Sequence, residues 1–212
     1  MKMTYTTSLH ISRTNSALDG IPSINLPPKA TCRADAPCAK LCYACKGTFR
    51  FKNVRTNMDE NLEIYHTRPD YYESYITTAV SVYRYFRWHA AGDIPDMAYL
   101  DMMVRVAKHL PGTKFLCFTK KFELVNEWIY QNDDLPENLA MVFSAWDKSF
   151  EVPNPWGLPV AYIKLKNGDN PPIPEHAHEC IKASGGTCAQ CVANGGGCWD
   201  MKHGDAVYFH EH

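Results

Sequence analysis

Eight of the nine cysteines in this chain fall into two groups near opposite ends, so any fold for this sequence must suit two clusters of thiols. The first group is Cys32, Cys38, Cys42 and Cys45; the second is Cys180, Cys188, Cys191 and Cys198. Cys117 stands alone in the apolar run KFLCF and reads as a small buried core residue. Three chemistries produce such groups: disulfides, structural zinc and iron–sulfur clusters. The start of the chain lacks an apolar segment with a cleavage site, and no stretch approaches the ~18 apolar residues of a membrane span. The chain is therefore expected in the cytoplasm with no membrane partner. There, thiols stay reduced and grouped cysteines bind metal more often than each other.

With 212 residues and 45% hydrophobic content, the chain can bury one good core. The composition suggests a core over residues 1–166 with an N-terminal arm, and a Cys-rich metal-binding extension over 167–212 packed on it. A net charge of -1 gives no global electrostatic reason to expect nucleic acid as partner, and leaves room only for a local basic groove.

Periodicity supplies the elements. A short strand is expected at 21–26, then a loop carrying the first cysteines. Tyr72, Tyr75, Ile76, Ala79, Val80 and Tyr83 recur at helical spacing, with Pro69 near the helix start. A strand follows at 85–89, then a helix capped by Asp96 that buries Leu100, Met103, Val104 and Ala107 and stops at Pro111-Gly112. Strands at 114–119, 139–144 and 159–165, a helix at 121–130, and a last strand at 206–209 complete the series. Strands alternating with helices imply parallel pairing with right-handed crossovers, hence an α/β fold with a partial (β/α) barrel. Four or five strands are too few for a closed eight-fold barrel.

Cys42-x2-Cys45 and Cys188-x2-Cys191 each supply one zinc knuckle, but neither group has the usual second pair about 15 to 20 residues on. The spacing Cys38-x3-Cys42-x2-Cys45 is similar to that by which radical S-adenosylmethionine (SAM) enzymes hold three irons of a 4Fe-4S cluster and leave the fourth open to SAM. That resemblance implies a cluster at Cys38, Cys42 and Cys45, in a loop after the first strand of the barrel. It also implies that Gly92 and Asp93 receive the SAM amino group in place of a Gly-Gly-Glu segment, with Asp shortening the reach. Ala44 stands where an aromatic usually precedes the last cysteine, and Tyr43 lies one earlier as the candidate adenine contact. Cys32 is additional; as a fourth ligand it would close the cluster against SAM. The second group resembles auxiliary-cluster segments, leaving a second 4Fe-4S cluster, zinc, or a site shared with Cys32 open.

The chain also resembles the phage gene-product-88 family over nearly its whole length. The resemblance rests on residues 15–47, on FRWHAAGDIPD, KFLCFTKK and FSAW, and on the closing CAQC and CW. It implies a cluster-binding α/β protein in the host cell cytoplasm more firmly than it implies a reaction. His89 is a pocket candidate or a hydrogen-bonded structural histidine. Ser144 and Asp147, with Lys120 and Lys121, follow strand ends and are candidate ligand contacts. His176, His178, His203, His210 and His212 crowd the tail, where neutral imidazole is a competent zinc ligand. The expected function is a radical-SAM-like enzyme needing a reductant and acting on an unknown substrate. The alternatives are a non-catalytic accessory protein with structural metal sites that binds nucleic acid or a host protein, and simple electron transfer through two clusters.

Overall fold

The computed structural model describes residues 8–211. His212 lies outside the described residues. Eight strands form one mixed sheet: β1 (Ile11–Ser12), β2 (Ser23–Ile24), β3 (Tyr85–Trp88), β4 (Lys114–Thr119), β5 (Leu139–Ser144), β6 (Val160–Lys164), β7 (His178–Glu179) and β8 (Ala206–His210). Their order is β1-β2-β3-β4-β5-β6-β8-β7. Every neighbouring pair is parallel except β1 with β2. Neighbouring parallel strands need crossovers, and helices provide all but that from β5 to β6, which is helix-free: α1 (Pro28–Thr31), α2 (Lys52–Thr67), α3 (Pro69–Val80), α4 (Met97–His109), α5 (Phe122–Asn132) and α6 (Cys188–Ala193). The expectation of a parallel α/β fold holds; the eight strands form an open sheet with β1 and β7 at its edges.

A parallel sheet is covered on both faces, so its central strands read as apolar runs rather than alternations. In β5 every residue but Ser144 is buried. Strand alternation divides the side chains into two cores. Phe86, Trp88, Phe115, Cys117, Met141 and Phe143 face α2 to α5, where they meet Tyr72, Ile76, Leu100, Met103, Phe122 and Val125. Leu116, Ala140, Val142, Ala161 and Val207 face the other way, against Leu18, Ile21, Trp199 and Met201. The second face carries smaller residues and is covered by irregular chain that includes the second cysteine group, whose Cys180, Cys188 and Cys198 pack against it. Trp199 fixes that cover, its Nε1 donating to the Phe86 carbonyl at 2.9 Å. Lys114 pairs with Asp200 beside it.

Helix boundaries have local causes. Pro69 occupies the first position of α3, where its missing N–H costs nothing. Asp96 caps α4, accepting from the Tyr99 N–H at 2.9 Å. Asn138 ties the α4 exit to the start of β5, donating to the carbonyls of Ala107, Leu110 and Thr113.

The C-terminal ends of β2 and β3 are pressed together at Gly92. Leu26 donates to the Ala91 carbonyl at 3.0 Å. Gly92 itself has φ +87, and a Cβ there would lie 2.8 Å from the Leu26 carbonyl carbon. Only glycine combines that backbone conformation with that approach. Gly92→Ala is expected to cost about 3 kcal/mol through strain and overlap, lowering the melting temperature by roughly 6–12 °C. Thermal unfolding followed by circular dichroism checks it; an unchanged midpoint would remove the close approach from the account.

Candidate metal centre

The first cysteine group occupies a loop at the C-terminal end of β2, the first strand of the parallel series. After α1 the chain makes three short 3-10 turns, at Pro37–Lys40, Tyr43–Cys45 and Gly47–Arg50, before entering α2. Few apolar side chains hold this loop. Ala44 is buried against Met58 and Ala91, and Tyr43 donates its hydroxyl to the Ala90 carbonyl. Arg33 does more: it spans Asp35 and Glu123, donates to the Lys120 carbonyl, and lies over the rings of Phe122 and Phe150. Hydrogen bonds to the two carboxylates outweigh desolvation and raise its pKa above the ordinary guanidinium value.

Asp93 joins the loop to the sheet. Its Oδ1 accepts from the Thr119 hydroxyl at 2.6 Å and the Ile94 N–H at 2.8 Å, and its Oδ2 from the Lys120 N–H at 3.0 Å. Its own N–H donates to Thr31 Oγ1 at 3.0 Å. One side chain thus binds the end of β3 to the end of β4, while its backbone holds α1 at the entrance to the loop. Burial pushes its pKa above the ordinary carboxylate value, opposed by those three donors. A carboxylate has about four lone-pair sites, so Oδ2 retains capacity for one more donor.

Cys32 sits beside this carboxylate. Burial, then the charges of Asp93, Cys38 and Cys42, push its thiol up to about 12. Burial also raises Cys42, and the charges of Cys45 and Cys38 raise it further. All nine cysteines are free, and among the described residues no group of three or more His, Cys, Asp or Glu is gathered closely enough to hold a metal ion.

The second group lies at and beside the second face. Cys180 follows β7, its N–H donating to the Tyr208 carbonyl at 2.9 Å. Cys188 and Cys191 belong to α6, whose N-terminus has a capping box between Thr187 and Gln190. Gly197, with φ +103, lets the backbone pass close to Cys191, since a Cβ there would lie 3.1 Å from its sulfur. Cys198 is pushed up to about 12 by burial, against the lowering charge of Arg87. Burial raises Cys188 as well, again opposed first by Arg87. A thiol-only donor set suits a soft metal or an iron–sulfur cluster.

Arg87 is the functional candidate that sequence reasoning passed over. It projects from the middle of β3 onto the second face, with its guanidinium 4.2 Å from the Phe118 ring centroid. Its charge also reaches Tyr43, whose pKa burial raises and Arg87 lowers. Arg87 forms no ion pair with any described carboxylate. Its charge thus acts on two thiols of the second group and on Tyr43 of the first loop. The available signal was an arginine inside a strand covered on both faces.

The other candidates fall as follows. Tyr43 is 53% exposed and meets Phe49 edge-on, with its hydroxyl reaching inward to Ala90. Ser144 ends β5 on the second face, half-buried. Asp147 accepts from the Ser149 N–H and hydroxyl, in the wall of a cleft of about 380 Å³. That cleft opens at the C-terminal ends of β5, β6 and β8, and Leu41 of the first cysteine loop also lines it. Lys120 lies 5.6 Å from the Trp146 ring, another wall of the cleft. In the tail, His176 contacts the Gly204 carbonyl, and His210 contacts Glu179 at 2.5 Å.

His89 is a buried structural histidine. Its Nε2 lies 3.1 Å from the Tyr99 hydroxyl, which meets the Tyr72 hydroxyl at 2.7 Å. Nδ1 is buried without a partner, and φ is +55. Burial, then the charge of Arg87, lowers its pKa from 6.5 to about 3. Between those values the unfolded chain holds a proton that the folded chain does not. Stability contributed by neutral His89 is therefore complete above 6.5 and lost as pH falls. From about pH 7 to about pH 5 the loss is about 2 kcal/mol. Denaturant unfolding should show this slope, and His89→Asn should remove it; a slope kept in that variant would contradict the assignment.

The family model described as Gene product 88 matches residues 3–163. The match takes in the first cysteine loop, Arg87, Gly92 and Asp93, and stops before the second cysteine group. No curated protein and no solved structure matches the chain. With about three quarters of its length inside that match, the chain belongs to the gene product 88 family.

Proposed function

We propose that this chain is an iron–sulfur protein of the radical-SAM kind, with one cluster at Cys38, Cys42 and Cys45 and a second thiol-bound metal at Cys180, Cys188, Cys191 and Cys198. The observation that carries the reading is topological. The Cys-x3-Cys-x2-Cys loop leaves the first parallel strand, and Ala91-Gly92-Asp93 ends the neighbouring one, so both lie at the C-terminal rim of the sheet. That rim is where α/β folds of this type place their chemistry.

When bound, such a cluster supplies an electron for cleaving a carbon–sulfur bond of SAM. The chain's own residues would do the rest. Asp93 Oδ2, with one acceptor site left, would accept a hydrogen bond from the SAM ammonium. Gly92 lets the backbone pass close enough to leave that site open. Tyr43 offers an exposed ring beside the cysteine loop for the adenine. The cleft lined by Leu41, Trp146 and Asp147 receives the substrate next to the same loop. Arg87, unpaired and on the second face, offsets the negative charge of thiolates at Cys188 and Cys198. Holding a cluster requires the first loop to draw its sulfurs inward, which its few anchors permit. Cys32, against the Asp93 carboxylate, stays outside that ligand set and leaves one iron open.

Anaerobic purification is expected to give a brown protein with about four irons or more per chain. Cys42→Ala should abolish the chromophore of the first site, and Cys32→Ala should leave it. Incubation with dithionite and SAM should then release 5′-deoxyadenosine. A colourless protein with zinc at both sites would overturn the reading, and a full cluster that yields no 5′-deoxyadenosine would overturn its open iron.

A further inference from the structure

We infer that the segment from Lys40 to Arg55 is a binding surface for single-stranded nucleic acid. Lys40, Lys46, Arg50, Lys52 and Arg55 are all exposed, and no Asp or Glu occurs between Asp35 and Asp59. None of the five is ion-paired or hydrogen bonded through its side chain to any described residue. Other exposed cations do find carboxylates: Arg105 pairs with Glu73 and Lys148 with Asp169. A concentration of unpaired positive charge in a chain of net charge -1 is thus local to this loop and the start of α2.

The aromatic residues of the segment decide which polyanion it suits. Tyr43 is 53% exposed and Phe51 59% exposed, and they alternate in sequence with the cations. Burial in the core explains neither ring. Exposed rings among cations are what unstacked bases and their phosphates need, because every base has a face to stack while a duplex hides it. An acidic peptide would use the charges and leave the rings idle.

The start of α2 supports the same ligand. Phe51 is its N-cap residue and supplies no side-chain cap, and the first turn carries Lys52 and Arg55 with no acidic residue. Cations there oppose the helix dipole, and free N–H groups remain. A bound phosphate would satisfy both the free N–H groups and the two cations. The segment shares Tyr43 with the cluster reading and encloses Cys42 and Cys45, so the test is placed on Phe51, Lys52 and Arg55, which that reading does not use.

The test uses the full chain, purified anaerobically, and a fluorescent oligothymidylate of about 16 nucleotides, with binding followed by anisotropy. Four phosphate contacts imply an affinity loss of about 50-fold between about 50 and about 200 mM salt. Reversing two charges, Lys52→Glu with Arg55→Glu, should shrink that loss to about 7-fold and weaken binding at low salt. Phe51→Ala should weaken binding about 5-fold or more without changing the salt slope. All three positions are exposed, so Phe51→Ala should melt with the parent, and the charge-reversed chain at or slightly above it, since Glu at a helix start suits the dipole. Undiminished binding by the charge-reversed chain overturns the inference. So does competition by polyglutamate as strong as by unlabelled oligonucleotide, or equal affinity for duplex DNA.

Discussion

The architecture of the candidate site depends on one buried carboxylate. Asp93 accepts from Thr119, Ile94 and Lys120, and its N–H reaches Thr31, so three parts of the chain meet at one residue. A buried carboxylate is costly unless its acceptor sites are filled, and here three donors offset that cost. The same bonds lock the rim: β3 cannot shift against β4, and the cysteine loop cannot leave β2 at another angle. Gly92 makes the arrangement possible by letting the backbone pass Leu26.

The two faces of the sheet are stabilised differently. Helices α2 to α5 seal one with large aromatic and aliphatic side chains, as expected for a parallel sheet. The other carries alanine and valine and is closed by a glycine-rich segment with few apolar anchors, chiefly Trp199 and Met201. On the proposed reading, ligation rather than burial would supply much of the order of such a cover. Arg87 points into this region, and on the proposed reading thiolates at Cys188 and Cys198 would offset its charge.

Much of this was legible beforehand. β4 and β5 were readable to the residue because an apolar run between turn signals has one interpretation once helices alternate with strands. Asp96 announced its cap, and Pro69 the start of α3. What was not legible depends on distant partners. β8 sits between β6 and β7 through pairings invisible to local pattern, and β1 and β7 are two residues each. α6 lies hidden in a run read only for its cysteines. Asp93 was read for the charge it would offer a ligand, whereas most of its capacity goes to the fold. Net charge misled in a different way: averaging over the whole chain conceals five unpaired cations between residues 40 and 55.

X-ray absorption at the iron edge of the anaerobically purified chain tests the central proposal most directly, because it reads the atoms around the metal. The account predicts a sulfur-only protein shell with iron–iron scattering, and a change in that shell when SAM adds nitrogen and oxygen to the open iron. A shell dominated by nitrogen and oxygen without iron–iron scattering, or a spectrum indifferent to SAM, would contradict it.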